Sequence, residues 1–127
     1  MKTITKLLTA ALLLCSFTVV NADVVHVYNC KLNEGKTVEE ANAASSAWLV
    51  AVRSMEGGDK IEAYHNYPVA ANAGDGSFLF VEITPDFAQW GTMADAYSGS
   101  AAEKADQAWG EVATCESSSL WSSIKIE

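Results

Sequence analysis

The stretch VVHVYNCKL, residues 24–32, decides the fold of this chain. It is rich in β-branched and aromatic residues, which is typical of a β-strand, and it carries Cys30. A turn at residues 33–36 follows, and Thr37-Val38-Glu39-Glu40 fits a capping box, in which the Thr37 hydroxyl and the Glu40 carboxylate satisfy the first free N–H groups of a helix. This part of the chain is therefore predicted to run strand, turn, helix.

The same patterns predict the remaining elements. Glycines end the first helix at residues 57–58, and the glycine-containing turn at 72–77 separates two strands that should form a hairpin. We predict strands over 61–70 and 77–84, a helix capped by Thr84 with Pro85 as its first residue, a helix from a second capping box at 100–103 to about residue 114, and a strand over 120–126. The order β-α-β-β-α(α)-β predicts an α+β, ferredoxin-like fold whose antiparallel sheet carries its helices on one face.

Residues 1–22 have the features of a cleavable signal peptide. Lys2 and Lys6 precede an apolar run over residues 7–20. Small or medium-sized residues at positions 20–22 then suit recognition by signal peptidase. The run is about 14 residues, shorter than the roughly 20 that a membrane-spanning helix needs. We therefore expect cleavage near Ala22, export to the periplasm or the extracellular space, one domain over residues 23–127, and no membrane insertion of the mature chain.

The charge of the chain excludes some classes of partner. The formal net charge is −8, and it becomes −10 when the signal peptide takes Lys2 and Lys6 away. A protein surface that binds nucleic acid needs clustered lysine and arginine. The few that remain in this acidic chain are scattered, so we expect no nucleic-acid partner. No acidic loop has the spacing of a calcium-binding EF-hand, and neither remaining cysteine has a cysteine or histidine at ligand spacing, so no metal site is predicted.

Cleavage leaves two of the three cysteines, Cys30 and Cys115. An even pair in an oxidising compartment is read as a disulfide. In the predicted fold the end of the first strand lies beside the start of the last, and the two cysteines occupy these places. The pairing and the element order therefore support each other.

Two short segments carry a resemblance to a known family. Together with the element order, CKLNEGKT at residues 30–37 and FVEITPDFAQWG at residues 80–91 resemble the dimeric α/β-barrel superfamily, and within it uncharacterised exported bacterial proteins. The resemblance implies a homodimer formed through the sheets. Members of the superfamily include antibiotic-biosynthesis-type monooxygenases, stress-responsive barrel proteins and haem-degrading enzymes. The haem-degrading enzymes have an iron-ligating histidine on a helix. In this chain His26 and His65 both lie on predicted strands, so we expect no cofactor.

Five residues are candidates for a ligand pocket: His65, Tyr64, His26, Tyr28 and Trp90. Strand alternation puts His65 on the aliphatic face of its strand and Tyr64 on the other, and it puts His26 on the same face as Tyr28. A histidine in a sheet–helix cleft can act as a base near neutral pH. The interpretation we favour for His65 is nevertheless a half-buried histidine that is hydrogen-bonded to a neighbour.

Other polar and aromatic residues are assigned to structure. Trp48 and Trp109 fall at helical core spacing, whereas Trp90 lies near a helix start, which favours a pocket position. Glu82 lies in the middle of a strand, where it could be a functional group with a perturbed pKa, but we expect it to face solvent.

Two functions remain open. The favoured one is a non-catalytic module that binds a small apolar ligand or serves in the cell envelope, because no convergent set of polar catalytic groups is evident. The alternative is a cofactor-independent monooxygenase- or isomerase-like enzyme that acts on a small apolar substrate in the sheet–helix cleft. The enzyme hypothesis predicts an open pocket with His65 or His26 pointing into it, and dimerisation predicts an uncovered apolar sheet face.

Overall fold

The computed structural model describes residues 22–70, 72 and 74–126. The predicted signal peptide, of which only Ala22 is described, otherwise lies outside these residues. The elements in chain order are β1 (Asp23–Leu32), α1 (Val38–Arg53), β2 (Glu62–Asn66), β3 (Ser77–Thr84), α2 (Phe87–Tyr97), α3 (Ala101–Gly110) and β4 (Ala113–Ser123). No helix in the described part of the chain is long and apolar enough to cross a membrane.

The four strands form one antiparallel sheet in the order β2-β3-β1-β4. The three helices pack on one face of this sheet, over a core that contains Trp48, Val52, Ile61, Phe78 and Trp109. The α+β, ferredoxin-like prediction is therefore confirmed.

Strand alternation decides which side chains meet the helices. On β1 these are the even-numbered residues from Val24 to Leu32, and the register pairs Tyr28 with Phe80 and His26 with Glu82. The helix-facing layer of the sheet therefore carries a histidine, a tyrosine and a glutamate among its apolar residues.

The first helix begins as predicted, but the second does not. Thr37 and Glu40 form the predicted capping box of α1. Helix α2 is capped by Asp86, whose carboxylate accepts from the Gln89 N–H at 2.7 Å, instead of by Thr84. Thr84 is the last residue of β3, where the ladder pairs it with Val24, since a β-branched residue suits a strand. Its buried Oγ1 has no hydrogen-bond partner among the described residues.

Two predicted strands have different bounds. Strand β4 begins at Ala113 instead of residue 120, because its polar segment SSS at 117–119 pairs with β1 at the edge of the sheet, where strands need no apolar pattern. The predicted helix over 100–114 accordingly ends at Gly110. Strand β2 ends at Asn66 instead of residue 70, two residues before Pro68, which has no N–H for a ladder.

The predicted disulfide is confirmed. Cys30 of β1 and Cys115 of β4 are paired in the ladder, and their sulfur atoms are 2.04 Å apart. The register shifts beside this pair, between Asn29 and Cys30. The bond therefore joins the central strand β1 to the edge strand β4.

Candidate functional site

An open cavity of about 580 Å³ lies between the sheet and the helices α2 and α3. Its size is within the range of small-molecule pockets, about 300–1,000 Å³. We call it the Trp90 cavity. Its lining includes His26, Tyr28, Trp48, Phe80, Glu82, Trp90, Met93, Tyr97, Asp106, Trp109 and Cys115.

Three polar side chains meet on the sheet side of the Trp90 cavity. The Tyr28 hydroxyl is 2.8 Å from Nδ1 of His26, and that nitrogen is 3.8 Å from Oε2 of Glu82. Glu82 is only 6% exposed, so the expectation that it faces solvent is wrong. The strand pattern carried the signal, because Glu82 is in phase with Phe78 and Phe80, which are both buried.

Burial sets the protonation of this group. It raises the pKa of Glu82 to about 8; the negative charge of Asp106 adds to the rise, and a hydrogen bond with Tyr28 opposes it. Burial also lowers the pKa of His26 and raises the pKa of Tyr28 far above its usual value. Near pH 7 the sheet side of the cavity is therefore mainly uncharged, with a protonated carboxyl beside a neutral imidazole.

Aromatic rings also line the cavity. The Trp90 ring lies edge-on to His26 with centroids 6.5 Å apart, and Trp48 donates its indole N–H to the Tyr97 hydroxyl at 2.9 Å. Burial raises the pKa of Tyr97 to about 12. Trp48 and Trp109 are buried, as the core assignment predicts, and both also line the cavity.

His65 belongs to a second polar cluster, which we call the His65 network: Asn42, Ser45, His65, Tyr67 and Trp109. Trp109 donates its indole N–H to Ser45 Oγ at 2.7 Å, and Ser45 Oγ is 2.8 Å from Nε2 of His65. Nδ1 of His65 is 2.8 Å from Oδ1 of Asn42, which also accepts from the Tyr67 hydroxyl. Since Oδ1 can only accept, Nδ1 carries the proton, and Nε2 accepts from the Ser45 hydroxyl.

The Ser45–His65–Asn42 contacts have the order of a nucleophile, a base and an orienting group. A serine nucleophile also needs free N–H donors for the developing oxyanion. Ser45 lies in the middle of α1, where backbone N–H groups are bonded within the helix. The network therefore ties α1 to β2 and α3, and His65 is the half-buried, hydrogen-bonded histidine that the sequence interpretation favours.

The structure brings together three of the five candidate residues. His26, Tyr28 and Trp90 line the Trp90 cavity. His65 borders a separate cavity of about 380 Å³ beside the His65 network. Tyr64 borders it as well, but it is 47% exposed and its hydroxyl donates to Glu62, away from His26.

Sequence reasoning missed three polar residues of the Trp90 cavity. Glu82 was assigned to solvent, and Tyr97 and Asp106 were not singled out. Tyr97 ends α2 and Asp106 lies within α3, and no local motif marks either one. They reach the cavity through the way the two helices cross the sheet.

A solved structure with a similar fold is that of SnoaB. SnoaB, described as a cofactor-independent oxygenase from Streptomyces nogalater, matches with a TM-score of 0.55 and 11% sequence identity, over 83% of this chain and 96% of that one. At this identity the likeness shows the fold, and the oxygenase activity is that of SnoaB. No protein-family model and no curated protein sequence matches this chain.

Proposed function

We propose that this chain is an exported protein that binds a small, flat, largely apolar molecule in the Trp90 cavity. The observation that carries the proposal is an open cavity of about 580 Å³ walled by aromatic rings. Pockets for small molecules are mostly apolar and have a few polar groups that orient the ligand. Glu82, His26 and Tyr28 are such groups, and Trp90 and Tyr97 offer flat faces for stacking.

Binding can be measured by the intrinsic fluorescence of the protein. Trp48, Trp90 and Trp109 line the cavity, so a bound aromatic compound should change their emission in a saturable way. A panel of one- to three-ring compounds is titrated into the mature protein. Ala94→Trp places a large side chain on the cavity wall and should abolish binding, whereas Ala88→Trp is the matched control on an exposed position of the same helix. Equal binding by the two variants would contradict the proposed site.

Export is part of the proposal. The composition of residues 1–22 and the disulfide between Cys30 and Cys115 support it, because such bonds persist in oxidising compartments. Native mass spectrometry of the full chain, expressed in a secreting bacterial host, should find a product that begins near residue 23 and lacks two hydrogens. A full-length product with free thiols would contradict export.

We also propose that two copies pair through the open face of the sheet. This face, opposite the helices, presents a set of exposed or partly exposed apolar residues around the buried Val81: Val25, Val27, Tyr64, Leu79, Ile83 and Trp121. Trp121 is 59% exposed, and apolar surface of this kind is typical of an interface.

Sedimentation of the mature protein at micromolar concentration tests this pairing. We expect a dimer, and we expect Trp121→Glu to give a monomer because it places a charge in the apolar face. Glu116→Gln, at an exposed position of the same strand, is the control. A monomeric wild-type protein would contradict the pairing.

An enzyme is the second candidate function, and the convergence of His26, Tyr28 and Glu82 favours it. A neutral imidazole beside a protonated carboxyl can remove a proton from a bound carbonyl compound and protonate its oxygen, which is the first half of an isomerisation. Compounds that bind in the fluorescence assay are incubated in air without added metal or cofactor. His26→Ala should then abolish turnover while His65→Gln keeps it. Turnover that survives His26→Ala would contradict this role.

A further inference from the structure

The wall of the Trp90 cavity carries acidic side chains. Two carboxyl groups line it, Glu82 from β3 and Asp106 from α3. Among the described residues, no lysine or arginine lines the cavity, and burial lowers the pKa of His26, its one basic side chain. A carboxylate ligand would therefore meet two acidic side chains and no counter-charge.

The aromatic walls also favour a cationic ligand over an anionic one. The face of an aromatic ring carries partial negative charge and attracts an organic cation within about 6 Å of the ring centre. Tyr28, Trp48, Trp90 and Tyr97 line the same cavity as the two acids. Rings and carboxyl groups together form the kind of site that holds an ammonium group beside an apolar body.

We propose that the ligand of the Trp90 cavity is an organic cation: an ammonium group carried on a flat apolar body, with Glu82 and Asp106 as its counter-charges and aromatic rings around it. This inference rests on the proposed function, since it names the class of ligand that the same cavity takes. It differs from the small apolar ligand that is expected from the sequence.

The protonation of Glu82 gives the inference a measurable consequence. Burial and the charge of Asp106 raise the pKa of this carboxyl to about 8, so it is mainly protonated at pH 7. The other groups around it are His26 and Tyr28 from β1 and Tyr97 from α2, and all three are uncharged at that pH. A bound cation would favour the ionised carboxylate, so binding at pH 7 should release a proton.

Three probes of similar shape separate charge from shape. Benzyltrimethylammonium is the cation, neopentylbenzene is its neutral analogue with carbon in place of nitrogen, and 3,3-dimethyl-2-phenylbutanoate is an anionic analogue of comparable bulk. Tryptophan fluorescence, measured directly and in competition between the probes, gives their affinities for the mature protein. We expect the cation to bind at least about tenfold more tightly than the neutral analogue, which corresponds to about 1.4 kcal/mol.

Calorimetry in two buffers of different ionisation enthalpy measures the proton. Cation binding at pH 7 should release a large fraction of one proton, and this fraction should vanish at pH 10, where Glu82 is already ionised. Glu82→Gln should remove both the proton release and most of the preference for the cation, and Asp106→Asn should reduce the preference. Asp95→Asn is the matched control, because Asp95 is exposed on α2 and does not line the cavity.

The outcomes separate this inference from the proposed function. If the neutral or the anionic probe binds as tightly as the cation to the wild-type protein, the cation inference is wrong while small-molecule binding stands. The same holds if Glu82→Gln keeps the full preference for the cation. If none of the probes and no compound of the aromatic panel binds below millimolar concentration, the proposed function fails and the inference fails with it.

Discussion

The two histidines of this chain lie in the same layer of the fold but in different surroundings. His26 on β1 and His65 on β2 both face the helices, since strand alternation gives them the same side of the sheet. Both ring nitrogens of His65 have protein partners, Ser45 and Asn42 on α1. His26 has the Tyr28 hydroxyl and borders an open cavity.

The helix opposite each histidine makes the difference. Helix α1 offers Ser45 and Asn42 at a spacing of three residues, on one face of the helix, so the His65 network closes upon itself. Helices α2 and α3 offer Trp90 and Asp106 to the cavity, and space is left between them and the sheet. We infer that the His65 network stabilises the fold, whereas the His26 side of the sheet serves binding.

The largest effect that sharpens this comparison concerns Glu82. Its pKa is about 8 in the folded protein against an ordinary value of 4.5, so the folded state holds this proton more tightly. The stability that this provides is full below pH 4.5 and is lost as the pH rises through 8. The difference amounts to about 5 kcal/mol of unfolding free energy.

Urea unfolding of the wild type and Glu82→Gln at pH 5 and pH 9 measures this difference. The variant should match the wild type at pH 5 and be more stable by several kcal/mol at pH 9, because a glutamine has no charge to bury. Asp95→Asn serves as the control for the removal of an exposed acid. Parallel stability profiles for wild type and Glu82→Gln would show that this carboxyl is not buried in a protonated state.

The next effect tests the His65 network. Ser45→Ala removes the acceptor of the Trp109 indole N–H and the donor to His65. Leaving a buried donor without a partner costs about 1–3 kcal/mol, so we expect a loss of about 2–3 kcal/mol in the free energy of unfolding. Ser46→Ala, at the neighbouring exposed position of α1, should change it by less than about 0.5 kcal/mol. Equal effects of the two variants would contradict the network.

How far the sequence predicts these two regions follows from the range of the interactions. Alternation along a strand is a local rule, and it predicts which residues of β1 and β3 face the helices. The same rule predicts that Glu82 is buried, because it lies in phase with Phe80. The disulfide between Cys30 and Cys115 follows from the cysteine count and the element order. The polar edge strand β4 has no local apolar pattern, so its first half reads as the end of a helix and a loop.

The partners of the two histidines lie beyond that local range. Ser45 and Asn42 are ordinary polar residues in a helix, and Tyr97 and Asp106 lie at unmarked positions of theirs. Which of them meets His65 and which meets the Trp90 cavity depends on how each helix crosses the sheet, and spacing along the chain does not fix that.

Removing each histidine in turn should have a smaller effect on stability, and a clear effect on binding for one of the two. His65→Ala removes one of two hydrogen-bond partners from both the Ser45 hydroxyl and Oδ1 of Asn42. It should lower the unfolding free energy by about 1–2 kcal/mol, with ligand affinity in the Trp90 cavity nearly unchanged. His26→Ala should cost less than about 1 kcal/mol and weaken binding several-fold. Denaturation and fluorescence titration on the same samples measure both. The reverse order of the two stabilities would contradict the division of roles.

The smallest effect is the loss of stability at acid pH that the two histidines cause. It has to be measured in the Glu82→Gln variant, because the titration of Glu82 changes the unfolding free energy in the opposite direction over the same pH range. Burial lowers the pKa of both His26 and His65 below 6.5, so their rings stay neutral in the folded protein while the unfolded chain takes up protons. Stability should therefore fall as the pH drops below 6.5, until the folded rings are protonated as well.

Adding His65→Gln to the Glu82→Gln variant should remove one part of this acid slope, and adding His26→Gln should remove another. Burial contributes to both shifts, but His65 must also give up its acceptor role toward Ser45 when Nε2 is protonated, so the His65 substitution should remove the larger part. His26 lines the larger Trp90 cavity, where water can solvate part of the new charge, so its share of the acid slope should be smaller. Equal slopes after either substitution would mean that the closed network and the open cavity impose the same penalty on a charged ring, and the contrast between the two regions would then lie in binding alone.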